Sequence, residues 1–386
     1  MKIAIFLGPY STSPRPLDFH YNNIWENPRG LTGSDLALVM IGTCLQKRGH
    51  EIHLFTIHAE PHNKPSAWEN IKIYNYDERF SIINDSFDAI ISLNEPNVFI
   101  GLTEKPFRIC WQFLNDFPYC EPGYDNYVDK WLAVCQQHMD HLKSLIPPSN
   151  KWEVLGLGCE PAWYQDKRVD GRMVWCSSAD RGLHWLLQEY PKIKAAVPNA
   201  TLKIFYHMDF SHIENIEPQQ AESDETMRSR GYAINHTVPM VEMGQRIRYI
   251  KNAIKKLKHL GVEHIGPVSR DQMRKEFSEA SVFPFSCDTV TMCEGFSVST
   301  LESHASFTVP VITSQDCLGS IYKDSGAIVI PAPIKEHLSE YTDAVIRALT
   351  DKRFADGIID NCRVFAMQNT WDIVSEKMES IIKKGK

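Results

Sequence analysis

The sequence predicts an α/β protein made of two Rossmann-like domains, and two observations lead to this prediction. The chain has 386 residues, which is more than one hydrophobic core usually holds, so two domains are expected. Short β-branched or aromatic runs alternate with segments of helical periodicity along the chain, a pattern typical of parallel sheets covered by helices. The apolar fraction of 43% and the charged fraction of 23% fit an ordinary globular protein.

Strand-like runs occur in both halves of the chain. In the first half they are residues 2–7, 51–56, 71–76, 88–93, 108–113, 130–135 and 152–157. In the second half they are residues 173–177, 202–206, 263–268, 281–285, 310–313 and 327–330. A polar stretch with Pro161 and Gly171 separates the two sets, so we predict a domain boundary near residue 165. The segment from His207 to Gly244 has weak periodicity and is interpreted as an insertion.

A glycine-containing turn, RGLTGSD, precedes the first predicted helix. Gly30 and Gly33 would allow positive φ and close backbone approach, and Ser34 is predicted to be the helix N-cap. The turn has no third glycine, as a dinucleotide fingerprint would, and no Lys-Ser/Thr pair, as a P-loop would. A nicotinamide or ATP site is therefore not indicated.

Charge and cysteine content exclude several classes of protein. The net charge is -7, from 41 Lys and Arg against 48 Asp and Glu, which disfavours nucleic acid as a general partner. Ten cysteines include no Cys-x-x-Cys pair, which fits a reduced, cytoplasmic protein. The sequence shows neither an apolar window long enough to span a bilayer nor a secretory leader.

A basic helix is predicted over residues 245–261. Its isoleucines and leucine recur at helical spacing, and its lysines and arginines fall elsewhere. One interpretation is a surface that contacts an anionic membrane or a nucleic acid. The other, which we favour, is a helix packed on the core with a solvated face.

The most informative stretch is residues 284–314. It places Glu294 and Glu302 eight residues apart, separated by a turn of small residues and a helix that should begin near Ser297. The amides of residues 295–298 would be free at the positive end of that helix and would form an anion site between two carboxylates. Such a site suits a sugar nucleotide, with amides for its phosphates and carboxylates for its hydroxyls. The alternative is that both glutamates are solvated surface charges.

The segment EGFSVSTLE, followed by PVITS, is similar to the donor-binding motif of the family 4 retaining glycosyltransferases. RGLTGSD resembles the glycine loop of that family, and WCSSADRGLHWLLQEY resembles the first βαβ passage of its donor domain. The resemblance covers almost the whole chain. It implies the GT-B fold, in which two Rossmann-like domains face each other across a cleft and a C-terminal helix crosses back to the N-terminal domain. Residues 1–165, with helix 366–386, would form the acceptor-side domain, and residues 166–365 would bind the nucleotide sugar.

The resemblance also assigns roles by position. Glu302 would bind the ribose hydroxyls, Glu294 and the amides after it would contact the transferred sugar and the diphosphate, and Arg181 would bind the diphosphate. The implied donor-binding residues are Gly33, Ser177, Ser178, Arg181, Gly295, Phe296, Ser297 and Glu302. The implied catalytic residues are Glu294, Arg181 and Asp116.

Three departures from the family pattern are visible. A second basic residue is replaced by Ser177 or Ser178, and the common Gly-Phe-Gly ends in Ser297. A histidine that often contacts the donor sugar is replaced in the segment that contains Asn115 and Asp116. Asp116 could accept a sugar hydroxyl or could be a surface turn residue.

The implied reaction moves a sugar from a UDP- or GDP-sugar to a hydroxyl of a glycan, a lipid-linked acceptor or a small molecule, with retention at the anomeric carbon. No cofactor or metal is expected, and His304 should pack or cap rather than ligate. Two alternatives remain open: a protein that binds a sugar nucleotide or glycan without turnover, and a transferase acting on modified DNA bases. A cytoplasmic location is expected, with the inner face of a membrane as an open alternative, and the oligomeric state is not predicted.

Overall fold

The computed structural model describes residues 1–6, 24–26, 28, 30–56, 70–103, 106–115, 117, 123–145, 149–210, 240–289 and 292–385. The chain divides into two compact units. The first unit comprises Met1–Gly158 and Asn369–Lys386, and the second comprises Cys159–Gln368. Each unit contains its own parallel sheet.

The first unit is built on a seven-stranded sheet with the order β3-β2-β1-β4-β5-β6-β7. The strands are β1 (Lys2–Phe6), β2 (Glu51–Thr56), β3 (Lys72–Asn75), β4 (Ala89–Leu93), β5 (Phe107–Gln112), β6 (Lys130–Ala133) and β7 (Trp152–Val154). Every strand pair is parallel. All five residues of β4 are buried, as expected for a central strand of a parallel sheet.

The helices of this part of the chain are α1 (Gly33–Lys47), α2 (Arg79–Ile82) and α3 (Gln136–Leu145). The predicted N-cap Ser34 is wrong, because the cap is Thr32. Its hydroxyl accepts a hydrogen bond from the Asp35 amide over 3.2 Å, and the Asp35 carboxyl accepts one from the Thr32 amide. Gly30 has the predicted positive φ of 70°, whereas Gly33 is the first residue of the helix and lies outside the left-handed region.

The second unit contains a six-stranded sheet with the order β10-β9-β8-β11-β12-β13, again entirely parallel. The strands are β8 (Arg172–Trp175), β9 (Thr201–Ile204), β10 (Val262–His264), β11 (Val282–Phe285), β12 (Val309–Thr313) and β13 (Ile328–Ile330). The helices are α4 (Leu183–Ala196), α5 (Met240–Leu257), α6 (Arg270–Glu279), α7 (Val298–Ala305), α8 (Leu318–Tyr322), α9 (Leu338–Thr350) and α10 (Lys352–Gln368).

The last helix, α11 (Trp371–Gly385), belongs to the first unit and packs on α1. Trp371 is buried there. This packing also explains why α1 is buried on all sides from Asp35 to Leu45, whereas a helix on the surface of a sheet would bury one face.

All thirteen predicted strands are present, and the predicted α/β class with two parallel sheets is confirmed. Strand β10 ends four residues earlier than predicted, since Gly266 has a φ of 87° and interrupts the extended backbone. Most of the predicted insertion, residues 211–239, lies outside the described part of the chain.

The predicted basic helix corresponds to α5 and a following 3-10 turn. Met243, Ile247 and Ile250 are buried, and the helix packs on α4 and β10, which confirms the interpretation as a core-packed helix. Lys255 and Lys256 are exposed. None of the helices in the described ranges combines the length and apolar character required to cross a membrane.

Candidate functional site

The candidate site lies at the carboxyl ends of two neighbouring strands of the second unit, β8 and β11. Strand β8 pairs with β9 on one side and with β11 on the other. The chain leaves β8 toward α4 and β9, and it enters β11 from α6, so the order of the strands reverses between β8 and β11. In open α/β sheets this is the place where ligands bind. The loop after β8 contains Arg181, and the loop after β11 contains Glu294.

A close contact between these two loops brings the side chains together. Gly182 has a φ of 104°, and a Cβ at this position would lie 1.9 Å from the Ser286 carbonyl oxygen. The Ser286 hydroxyl donates a hydrogen bond to the Gly182 carbonyl over 2.8 Å. Only glycine fits this position, because any side chain would push the loops apart. Arg181 therefore reaches the second loop.

Arg181 forms a direct ion pair with Glu294, from Nη1 to Oε2. The Glu294 side chain is 7% exposed and that of Arg181 is 29% exposed. Burial raises the pKa of the Glu294 carboxyl, and the positive charge of Arg181 offsets part of that increase. Arg181 Nε is buried without a hydrogen-bond partner, so this guanidinium still has an unused donor.

Asp316 fixes the backbone that carries Glu294. Its Oδ2 accepts hydrogen bonds from the amides of Cys293 and Glu294, at 2.8 and 2.9 Å, and from the Thr289 hydroxyl at 2.8 Å. Asp316 follows β12 and has a φ of 52°, a conformation that aspartate tolerates better than most residues. The local sequence around Asp316 carries no signal of this role.

Helix α7 begins immediately after the loop, and Ser297 caps it. The Ser297 hydroxyl accepts a hydrogen bond from the Thr300 amide. Within the described chain, no hydrogen bond is made by the amides of Phe296, Ser297, Val298 or Ser299. This helix end therefore combines a positive dipole with free donors, as an anion site requires.

The backbone of Ser297 is in the left-handed region, with a φ of 66°. The Tyr322 hydroxyl donates to the Ser297 carbonyl over 3.0 Å and supports this conformation. Serine thus adopts the conformation that a glycine would adopt more easily, at a cost of about 1 to 2 kcal/mol. The replacement of glycine in the predicted motif therefore leaves the path of the backbone compatible with a positive φ.

Glu302 lies in the second turn of α7 and is buried. Its Oε1 contacts Nη2 of Arg270 and accepts a hydrogen bond from the Tyr164 hydroxyl over 3.0 Å. Glu302 is therefore not a solvated surface charge. Arg270 and Tyr164 lie 32 and 138 residues from Glu302, so no sequence spacing predicts that they contact it.

The serines predicted to bind the donor form the turn between β8 and α4. The Ser177 carbonyl accepts a hydrogen bond from Trp175 Nε1 over 2.7 Å, and the Ser178 carbonyl accepts one from the Arg181 amide over 3.2 Å. The Ser178 hydroxyl contacts Asp180. Both residues shape the loop that carries Arg181.

The other predicted residues have different environments. Phe296 is buried, and its ring lies edge-on to Tyr322. Gly295 lies between Glu294 and Phe296 in the same loop. Gly33 is at the start of α1 in the first unit, where burial raises the pKa of the neighbouring Asp35 carboxyl to about 6. Asp116 lies outside the described residues.

His304 lies in α7 one turn beyond Thr300 and is buried, and its two ring nitrogens contact the Thr300 carbonyl at 2.7 Å and the Ser325 hydroxyl at 2.7 Å. His304 is packed in the interior, as predicted. Across the described ranges, no group of three or more His, Cys, Asp and Glu side chains is arranged to hold a metal ion.

Solved structures show the same architecture over the whole chain. Sucrose-phosphate synthase from Thermosynechococcus elongatus aligns with a TM-score of 0.65 at 12% identity, covering 100% of this chain and 98% of that one. HepE from Anabaena, in complex with UDP and glucose, aligns with a TM-score of 0.64 at 10% identity, covering 100% of both chains. A glycosyltransferase from Rickettsia africae aligns with a TM-score of 0.63 at 10% identity, covering 100% and 98%.

No protein-family model matches the sequence, and no curated protein matches it either. The structural similarity shows that the chain has the GT-B fold.

Proposed function

We propose that this protein is a retaining glycosyltransferase that moves a sugar from a nucleotide-diphosphate sugar to a hydroxyl of a carbohydrate or lipid-linked acceptor. One observation carries the proposal. Arg181, Glu294 and the free amides before α7 meet at the strand-order reversal between β8 and β11. One similar structure is a glycosyltransferase, and another was crystallised with UDP and glucose, which supports a UDP-sugar donor.

The chemistry of the site suits a diphosphate bound to a sugar. Phosphate oxygens would accept hydrogen bonds from the amides at the start of α7 and from the guanidinium of Arg181, whose side chain is 29% exposed. Sugar hydroxyls would donate to the Glu294 carboxyl, which is already fixed by Arg181 and by its backbone contacts with Asp316. Glu302 would accept from the ribose hydroxyls.

In the proposed reaction, negative charge grows on the leaving diphosphate while the sugar acquires oxocarbenium character. Arg181 and the amides would stabilise the first charge, and Glu294 would stabilise the second. The departing phosphate can accept the proton of the acceptor hydroxyl on the same face, so retention requires no dedicated base. The proposal also includes a donor-binding role for Gly33 and a catalytic role for Asp116. It assigns the acceptor to the domain formed by residues 1–165.

A protein that binds sugar nucleotides without turnover is a second candidate, because the ion pair with Glu294 partly neutralises Arg181. A panel of nucleotide sugars, assayed for release of nucleoside diphosphate, separates the two functions. We expect slow hydrolysis or transfer with one donor, and an unchanged anomeric configuration by NMR. Tight binding with no release across the panel and a range of acceptors supports the binding protein.

Substitutions test the assigned residues. Glu302→Ala and Arg181→Ala should each weaken nucleoside diphosphate binding by about 1 to 3 kcal/mol, because each removes a side chain that would hydrogen-bond the ligand. Glu263→Ala on the exposed face of β10 and Arg347→Ala on α9 are matched controls. Calorimetry measures the affinities, and thermal melts show that the variants are folded. Unchanged affinity in both test variants would falsify the assignment.

A further inference from the structure

Two side chains from distant parts of the second unit hold Glu302. Arg270 is the first residue of α6, and Tyr164 lies in the segment before β8. Both contact the same oxygen, Oε1, and no residue in the described ranges makes a hydrogen bond to Oε2. The side chains of Arg270 and Glu302 are 9% and 5% exposed, and Tyr164 is 5% exposed. Arg270 and Tyr164 therefore fix the carboxylate through Oε1, and Oε2 is left available to accept a hydrogen bond from a ligand.

Stability alone does not explain this arrangement. Burying an ion pair removes two charges from water, and apolar residues of similar volume are often as stable or more stable. Arg270 also has a buried Nε without a hydrogen-bond partner, which is unfavourable. The Tyr164 hydroxyl is buried as well, and burial beside the Glu302 charge raises its pKa well above the usual value, so it stays a hydrogen-bond donor. These costs point to a functional requirement for a carboxylate in one orientation.

We propose that Arg270 and Tyr164 are positioning residues that orient Glu302 toward the ribose of the donor and so make the site select ribonucleotides over deoxyribonucleotides. This inference rests on the proposed function, in which Glu302 accepts hydrogen bonds from the ribose hydroxyls. A fixed and desolvated acceptor rejects a ligand that lacks the matching hydroxyl, because the acceptor is then left unpaired. A carboxylate that could rotate toward water would discriminate less.

The test compares the affinities of the intact protein for a nucleoside diphosphate and for its 2′-deoxy and 3′-deoxy analogues. We expect the wild type to prefer the ribonucleotide by at least about tenfold over one of the analogues. Tyr164→Phe, which deletes only the hydroxyl, should reduce this ratio about threefold. Arg270→Met should bring the affinity ratio near unity. Arg270→Lys should keep part of the ratio, because lysine retains the charge but lacks the planar donor geometry of arginine.

The affinity for the deoxy analogue distinguishes positioning from general damage. If the variants lose only orientation, this affinity stays the same, whereas a distorted site binds both ligands more weakly. Tyr190→Phe is the matched control, because its buried hydroxyl donates to the carbonyls of Ala200 and Leu260; its ratio should equal that of the wild type. Tyr164→Phe is conservative enough to test the inference if the Arg270 variants do not fold.

The outcomes separate this inference from the proposed function. If no nucleoside diphosphate or nucleotide sugar binds, the proposed function fails, and this inference fails with it. Two results overturn this inference alone. In the first, ribonucleotides bind but the wild type binds the deoxy analogues equally well. In the second, Tyr164→Phe and the Arg270 variants keep the wild-type ratio of ribonucleotide to deoxy-analogue affinity.

Discussion

Replacing Asp316 should loosen the loop that carries Glu294. Three donors share its Oδ2: two backbone amides and the Thr289 hydroxyl. In Asp316→Ala, the amides of Cys293 and Glu294 lose their acceptor, at a cost of about 1 to 3 kcal/mol each when a donor stays buried. Alanine also tolerates a φ of 52° less well than aspartate, by about 1 kcal/mol. These contacts are only partly buried, so water replaces some of the lost bonds, and we expect about 2 to 4 kcal/mol in total.

Hydrogen exchange measures this loss directly. The amides of Cys293 and Glu294 should exchange about 30-fold to 1,000-fold faster in Asp316→Ala than in the wild type. Asp316→Asn keeps a carbonyl acceptor and a side chain that accepts left-handed backbone, so its effect should be about 1 kcal/mol. Asp324→Ala is the matched control, since Asp324 is exposed in the same region of the chain. The affinity for a nucleoside diphosphate should fall from the wild type to Asp316→Asn and further to Asp316→Ala. Equal exchange at both amides in Asp316→Ala and the wild type would refute the reasoning.

Two further predictions concern stability. Gly182→Ala should lower the free energy of unfolding by at least about 3 kcal/mol, because the new Cβ would lie 1.9 Å from the Ser286 carbonyl oxygen at a φ of 104°. Gly357→Ala in α10 is the control, since a Cβ there meets nothing within 4 Å. It should raise the free energy of unfolding by no more than about 1 kcal/mol. Urea denaturation of both variants decides this, and equal effects would contradict it. Burial lowers the pKa of His304 to about 4 from 6.5, so between these pH values the unfolded chain binds the proton and the folded chain does not. The free energy of unfolding should therefore fall by up to about 3 kcal/mol as the pH decreases through this range. His304→Gln should remove that part of the pH dependence. Identical slopes of unfolding free energy against pH for the two proteins would argue against a buried neutral histidine.

The sequence predicted the architecture well because the relevant signal is local. Each buried parallel strand is a short apolar run, and both sheets consist of such runs separated by helical segments. The N-cap of α1 was misassigned between two neighbouring candidates, although Thr32 and Asp35 have the spacing of a reciprocal cap. That spacing is the sequence signal for Thr32 as the cap.

The partners of the site residues could not be predicted in the same way. Arg270 begins a helix with an ordinary capping serine before it, and nothing in its own neighbourhood indicates that it meets Glu302. Asp316 follows a strand, as many turn residues do, and its role depends on a loop more than twenty residues earlier. Such contacts arise from the three-dimensional arrangement of the strands, which pairs loops that are remote in sequence.

The position of α11 has a consequence for the order in which the protein can form during synthesis. The second unit is continuous, Cys159–Gln368, whereas the first unit needs Asn369–Lys386 in addition to its own N-terminal residues. The ribosome therefore completes the second unit before the first, although the first begins earlier. Until α11 is made, the side of α1 that it covers lacks this partner, and nascent chains that stop before residue 369 do not have the helix that covers it. The half whose synthesis begins first is thus the half that is completed last, and an incomplete domain is exposed longer to aggregation and to chaperones.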